Sequence, residues 1–126
     1  MTKVVFFKSK DAFWGFEEQG HAGFAESGED IVCSALSAMT MLVINAIEVA
    51  YASEADYEFD EETTNVRLTA RGALPSYEKD EKKRFAISGL IMAYYYQLND
   101  LVEEYYDYLE VDVIEKEYKV TNKRKI

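Results

Sequence analysis

A run without any charged side chain, from Ile31 to Ile47, constrains the fold most strongly. Its apolar residues recur at steps of three and four, which is typical of an amphipathic helix. They are Val32, Leu36, Met39, Val43, Ile47 and, just beyond the run, Ala50. The run is at the short limit for crossing a membrane, and Ser34, Ser37, Thr40 and Asn45 interrupt it. We therefore predict a buried core helix that begins after Asp30, with Asp30 as its N-cap.

Short alternating segments on either side of this helix indicate β-strands, and a second apolar periodicity indicates another long helix. The predicted strands are Lys3–Lys8, Ala12–Glu18, Tyr57–Glu62, Asn65–Arg71 and Glu110–Lys119, and helix two runs from about Tyr77 to Tyr108. The last strand has two mixed faces, which suits an edge position. The order β-β-α-β-β-α-β predicts an α+β fold in one compact domain over residues 1–126. A mixed or antiparallel sheet would pack with the two long helices.

Size and charge narrow the classes of partner. The chain has 126 residues, 48% of them hydrophobic, and a formal net charge of −10. This suits one globular domain whose surface repels nucleic acid and anionic lipid and attracts cationic partners, including basic proteins. We expect no nucleic-acid or membrane partner, and we interpret the basic cluster Lys123–Lys125 as a solvated tail. A single cysteine excludes an internal disulfide framework and favours the cytoplasm.

The one histidine and the one cysteine, His21 and Cys33, flank a glycine-bearing loop and are the best candidates for chemistry. A thiol acts as a nucleophile in its thiolate form, which a helix N-terminus and a nearby imidazole both favour. If Asp30 caps the helix, Cys33 lies in the first turn, where the dipole contributes about 0.3–1 kcal/mol. This is less than the roughly 1.4 kcal/mol of one pKa unit, so His21 must supply the rest. Backbone N–H groups at the same helix end could stabilise an oxyanion.

The residues alone leave other interpretations open. A cysteine in an apolar helix is often a small buried hydrophobe, and a lone histidine in a loop is often exposed and inert. One histidine and one cysteine fall short of a closed set of metal ligands, and no Gly-Lys-Ser/Thr follows the glycines as in a phosphate loop. We therefore predict no metal and no cofactor. The tyrosines of helix two fit the core and its boundary better than a recognition surface.

The loop and the helix start resemble the signature of one enzyme family. The matching residues are Gly20, His21, Ala22, Gly23, Ala25, Gly28, Asp30, Ile31, Val32, Cys33, Ala35 and Ser37. This segment is similar to that of the ribosomal-processing cysteine proteases, the Prp family. The resemblance implies a cytoplasmic, homodimeric endopeptidase with a mobile glycine-bearing loop over its site. Its substrate would be a basic protein of the large ribosomal subunit, near the peptidyl transferase centre, which loses a short N-terminal extension.

Carried onto this sequence, the resemblance makes Cys33 the nucleophile and His21 its general base and later its general acid. Gly20, Asp30 and Ser37 would support the site. Two alternatives remain. One is a non-catalytic ribosome-assembly or binding factor with a structural cysteine, and the other is a thiol-dependent transferase that uses the same pair on another acyl substrate.

Overall fold

The computed structural model describes residues 1–20, 27–63 and 65–119. The strands are β1 (Thr2–Ser9), β2 (Ala12–Gln19), β3 (Ala55–Phe59), β4 (Val66–Ala70) and β5 (Leu109–Glu115). The long helices are α1 (Ser27–Asn45) and α2 (Glu81–Tyr105). A π-helical turn, Ala46–Ala50, continues α1, and a 3₁₀ turn, Arg71–Ala73, follows β4. The predicted α+β class and the order of strands and long helices are confirmed.

The sheet is mixed, with its five strands in the order β3-β4-β2-β1-β5. β5 runs parallel to β1, and the other neighbouring pairs are antiparallel. β5 therefore occupies an edge, as its mixed faces predicted. The strand next to it, β1, has neighbours on both sides and carries the fully buried Val4 and Phe6. The two ends of the described chain thus meet in the sheet.

Both helices cover the same face of the sheet. On that face the ring of Tyr94 in α2 lies edge-on to Phe6 and Phe16, with centroids 5.6 and 5.1 Å apart. Because strand side chains alternate between faces, Phe7 points the other way, where Trp14 stacks on it at 5.1 Å. The sequence alone could not assign the helices to a face. Their common side gives the molecule one sheet layer and one helix layer.

The start of the first helix was predicted wrongly. α1 begins at Ser27, so Asp30 is its fourth residue and not its N-cap. The reason is tertiary packing at Gly28, a poor helix former that nonetheless lies inside the first turn. A Cβ atom at Gly28 would run into the ring of Tyr108, so the lack of a side chain lets helix and ring approach closely.

Other boundaries differ by a few residues. α2 begins after Asp80, whose carboxylate accepts a hydrogen bond from the N–H of Lys82 at 3.0 Å. Tyr77, the predicted start, belongs to a preceding turn in which its N–H donates to the carbonyl of Leu74. β5 ends at Glu115 and not at Lys119.

The uncharged helix is buried on one face and exposed on the other. Val32, Leu36, Val43 and Ile47 lie in the core, so the prediction of a core helix is correct for that face. The opposite face presents large apolar side chains to solvent, namely Ile31, Met41, Leu42 and Val49. By length and hydropathy the segment Asp30–Ala50 could also cross a membrane, a test that core helices of soluble proteins pass as well.

Candidate active site

Cys33 lies in the second turn of α1 and is half-buried. Because α1 begins at Ser27, the N–H of Cys33 falls within the regular i to i−4 ladder and is not one of the unpaired N–H groups at the helix start. The dipole effect fades within the first turn. Neither the helix dipole nor helix-end N–H groups therefore act directly at this thiol, in contrast to the prediction made with Asp30 as the cap.

The first strand brings a hydroxyl to the thiol. Oγ1 of Thr2 lies 4.0 Å from Sγ of Cys33, a contact in which either atom can donate. Thr2 is fully buried, and its N–H donates to the carbonyl of Tyr108 at 2.8 Å. The ring of Tyr108 in turn packs against Gly28 in the first turn of α1. Three segments thus position Cys33 together: the start of β1, the segment before β5 and the start of α1.

Gly20 ends the second strand next to the same corner of the molecule. Its φ of +84° is in the left-handed region, which residues other than glycine rarely adopt. A Cβ atom there would lie 2.5 Å from the carbonyl oxygen of Met1. The sequence therefore needs glycine at this position for two backbone reasons, both of which concern how the chain leaves β2 toward His21.

The other predicted site residues fall into two groups. Ser37 is exposed one turn beyond Cys33, and both line a shallow depression together with Ser34, Ala38 and Met41. Asp30 is exposed in the first turn of α1, where a carboxylate interacts favourably with the helix dipole. His21 lies outside the described residues, and so do the basic residues of the tail. The pairing of His21 with Cys33 stays a prediction.

Two residues at this site were not predicted from the sequence. Thr2 is 31 positions from Cys33 in the chain, and no local pattern connects them. Glu18 is a carboxylate with 2% exposure in the helix-covered face of β2. The burial of Glu18 could have been predicted, because Glu18 is two residues after Phe16 in the strand and therefore points to the same apolar face.

The described part of the chain offers an accessible thiol and no metal centre. Within residues 1–20, 27–63 and 65–119, no cluster of three or more His, Cys, Asp or Glu side chains is placed to hold a metal ion. The depression around Cys33 is open and shallow, which suits an extended chain better than a small enclosed ligand. A half-buried thiol at the side of such a surface can attack a carbonyl carbon of a bound peptide.

Comparisons with known proteins agree on one family. The family model described as cysteine protease Prp matches residues 1–110. The ribosomal processing cysteine protease Prp of Bacillus subtilis (strain 168) is 30% identical over 96 residues, which are 76% of this chain and 81% of that protein.

Solved structures share the fold. SMU.848 from Streptococcus mutans has a TM-score of 0.75 at 25% identity, over 92% of this chain and 99% of the other. An essential ribosomal processing protease Prp from S. aureus, solved with a substrate peptide, has a TM-score of 0.69 at 19% identity. That likeness covers 92% of this chain and all of the other, and it is a likeness of fold.

Proposed function

The chain belongs to the Prp family of cysteine proteases, and we propose that it removes the N-terminal extension of a large-subunit ribosomal protein with Cys33 as its nucleophile. The observation that carries the assignment of the nucleophile is that this cysteine protease contains a single cysteine. That residue is half-buried at an open depression where a peptide can reach it. His21 is the only imidazole in the sequence, so we assign it the role of general base and acid.

The proposed reaction is acyl transfer in two steps. His21 takes the thiol proton, and Cys33 Sγ attacks the scissile carbonyl carbon. As the C–N bond breaks, the His21 imidazolium gives its proton to the leaving amine and a thioester remains on Cys33. His21 then accepts a proton from water, which attacks the thioester and releases the new carboxyl end with the thiol restored.

Charge supports the proposed substrate. The protein carries a formal net charge of −10, and proteins of the ribosome that contact RNA are basic. Opposite net charges accelerate encounter and favour the correct class of partner. The S. aureus relative was solved with a substrate peptide, and we extend peptide recognition at the corresponding surface to this chain. The same negative charge argues against direct binding of nucleic acid.

We assign supporting roles to three further residues. Gly20 allows the chain to turn out of β2 just before His21, because its φ is positive. Ser37 lines the same depression as Cys33 and is available to hydrogen-bond a bound peptide backbone. Asp30 places a negative charge in the first turn of the cysteine-bearing helix.

We also propose that the enzyme is a homodimer that acts in the cytoplasm. Ile31 and Leu42 are exposed on α1, which has no charge between residues 31 and 45, and Val49 is exposed on the π-helical turn that follows. For two chains that repel each other through a net charge of −10, an uncharged apolar face is the surface on which they can meet at least cost. A reducing compartment keeps the single catalytic thiol from oxidation.

The experiment that tests the proposed function is cleavage of the ribosomal protein with and without its N-terminal extension. We expect the purified enzyme to shorten the extended protein to one product, which mass spectrometry identifies, and the shortened protein to stay intact. Cys33→Ala and His21→Ala should each abolish the cleavage. Ser76→Ala, at an exposed loop position, is a matched control that should cleave normally. If the extended protein stays intact with the unmodified enzyme, the substrate assignment is wrong.

A further inference from the structure

The carboxylate of Glu18 is buried in a hydrogen-bonded group that joins three elements. Oε2 of Glu18 in β2 accepts from the hydroxyl of Thr40 in α1 at 2.7 Å and from the hydroxyl of Tyr94 in α2 at 2.8 Å. The two hydroxyl oxygens are 3.3 Å apart. All three side chains are nearly inaccessible to solvent, with exposures of 2%, 4% and 4%. One oxygen atom therefore connects the sheet with both helices.

Burying the carboxylate of Glu18 opposes folding, because it removes a charged group from water. A carboxylate taken out of water loses its hydration, and the hydrogen bonds from Thr40 and Tyr94 compensate for part of that loss. Burial, and then the charge of Glu18, raise the pKa of Tyr94 well above its usual range, so its hydroxyl keeps its proton and stays a donor. In some proteins a buried polar group of this kind fixes one geometry of the core, and we infer that role here.

The position of the group relates it to the thiol. Thr40 is seven residues after Cys33, which is two helical turns, so the two lie on nearly the same face of α1 about 10 Å apart. Glu18 is the last buried residue of β2 before Gly20 and His21. The hydrogen bond from Thr40 to Glu18 thus fixes the rotation of the helix that carries Cys33 relative to the strand that leads to His21.

We propose that Glu18 is a positioning residue of the protease, which through Thr40 sets the orientation of α1 and hence of Cys33 relative to β2. This inference rests on the proposed role of Cys33 as the nucleophile. Glu18 touches neither substrate nor thiol in this role. It acts because a helix that can rotate or slide by about 1 Å displaces a nucleophile enough to slow its attack severely.

The sharpest variants remove the donors and leave the carboxylate in place, since loss of the carboxylate would strand two buried hydroxyls. Thr40→Val removes the α1 hydroxyl at nearly constant volume, and Thr40→Ser keeps it. Tyr94→Phe removes the α2 hydroxyl. Tyr95→Phe is the matched control, because Tyr95 is the next residue of α2 and packs through its ring on Phe6 and Phe13.

The experiment measures kcat and KM on the extended ribosomal protein, the rate of Cys33 alkylation by iodoacetamide, and the unfolding temperature. We expect Thr40→Val to lower kcat and the alkylation rate about tenfold or more with KM nearly unchanged. Thr40→Ser should restore both rates, and Tyr95→Phe should leave both as in the unmodified enzyme. Tyr94→Phe should have a smaller effect than Thr40→Val, because it leaves the hydrogen bond from Thr40 in α1 to Glu18 in place.

The outcomes separate this inference from the proposed function. If Thr40→Val is less stable but the folded protein keeps the normal kcat and alkylation rate, Glu18 is merely structural and the inference is wrong. If the unmodified protein fails to cleave the ribosomal protein, the substrate assignment fails, and the alkylation rates alone then decide the role of Glu18.

Discussion

The hydroxyl of Thr2, the second residue of the chain, lies 4.0 Å from the sulfur of Cys33 and is completely buried. Such a hydroxyl can donate a hydrogen bond to a thiolate, so this uncharged side chain can stabilise the ionised form of Cys33. Thr2 therefore belongs to the immediate surroundings of the proposed nucleophile, although it precedes the signature segment by many residues.

Replacing Thr2 by valine should slow the alkylation of Cys33 at neutral pH. The loss of one hydrogen bond, about 1 kcal/mol, corresponds to roughly a fivefold lower rate. It should also move the half-maximal rate to higher pH, because the thiolate loses a donor. Thr2→Ser retains the hydroxyl and should react like the unmodified protein. An unchanged pH profile for Thr2→Val would show that the contact does not stabilise the thiolate.

Gly28→Ala should destabilise the protein by about 1–3 kcal/mol, because the added Cβ collides with the ring of Tyr108. Urea unfolding measures the loss, and Tyr108→Ala in the same chain should reduce the effect of the substitution. Gly89→Ala is the matched control. A Cβ at Gly89, inside α2, has nothing within 4 Å, so this change should stabilise by about 0.5–1 kcal/mol. Equal effects of the two substitutions would contradict the packing described at Gly28.

The stability of the protein should fall steeply above pH 10 because of Tyr94. In the unfolded chain this tyrosine ionises near 10.0, whereas burial raises its pKa far above that value in the folded protein. Well above pH 10 the folded state therefore binds one proton more than the unfolded state, and Tyr94 lowers the free energy of unfolding by about 1.4 kcal/mol per pH unit. Urea unfolding from pH 9 to 12 follows this slope, which is about half of its full value at pH 10, where the unfolded tyrosine is half ionised. Tyr94→Phe should reduce it by that amount, and the exposed Tyr96→Phe should not.

Leu42→Glu should convert the proposed dimer into a monomer. Leu42 is 65% exposed at the centre of the apolar α1 face, so a carboxylate there should destabilise the proposed interface without disturbing the core. Light scattering after size exclusion gives the mass, and circular dichroism checks the fold. Phe85→Glu on α2, where the side chain is 73% exposed, is the control that should leave the mass unchanged. A monomeric unmodified protein would refute the proposed homodimer.

Local sequence patterns were sufficient to predict the helices and strands. They were insufficient where contacts with residues far away in the chain determine the structure. The alternation around Phe16 and the periodicity of Val32 and Leu36 predicted a strand and a helix, because each side chain faces a core that the period reveals. The start of α1 was missed because Asp30 is a good cap and Gly28 a poor helix former, while the contact that extends the helix comes from Tyr108. Tertiary packing overrides such propensities.

The candidate site, too, could be predicted only in part from the sequence. Cys33 and Gly20 were identified by residue type and by the resemblance of a contiguous segment. The contacts of Glu18 were not, because its partners Thr40 and Tyr94 are 22 and 76 positions away in the chain. Separations of this length leave no periodic trace in a single sequence.

The parallel pairing of β5 with β1 makes the surroundings of Cys33 depend on a segment near the far end of the sequence from β1. The ribosome makes β1 and Cys33 early and Tyr108 and β5 late. Until the late segment emerges, Thr2 lacks the carbonyl that holds its N–H, and α1 lacks the ring on which Gly28 packs. A nascent chain that has exposed its thiol therefore does not yet hold it in the active arrangement. We therefore expect a nascent chain to become active as a protease only after the segment with Tyr108 and β5 has been synthesised.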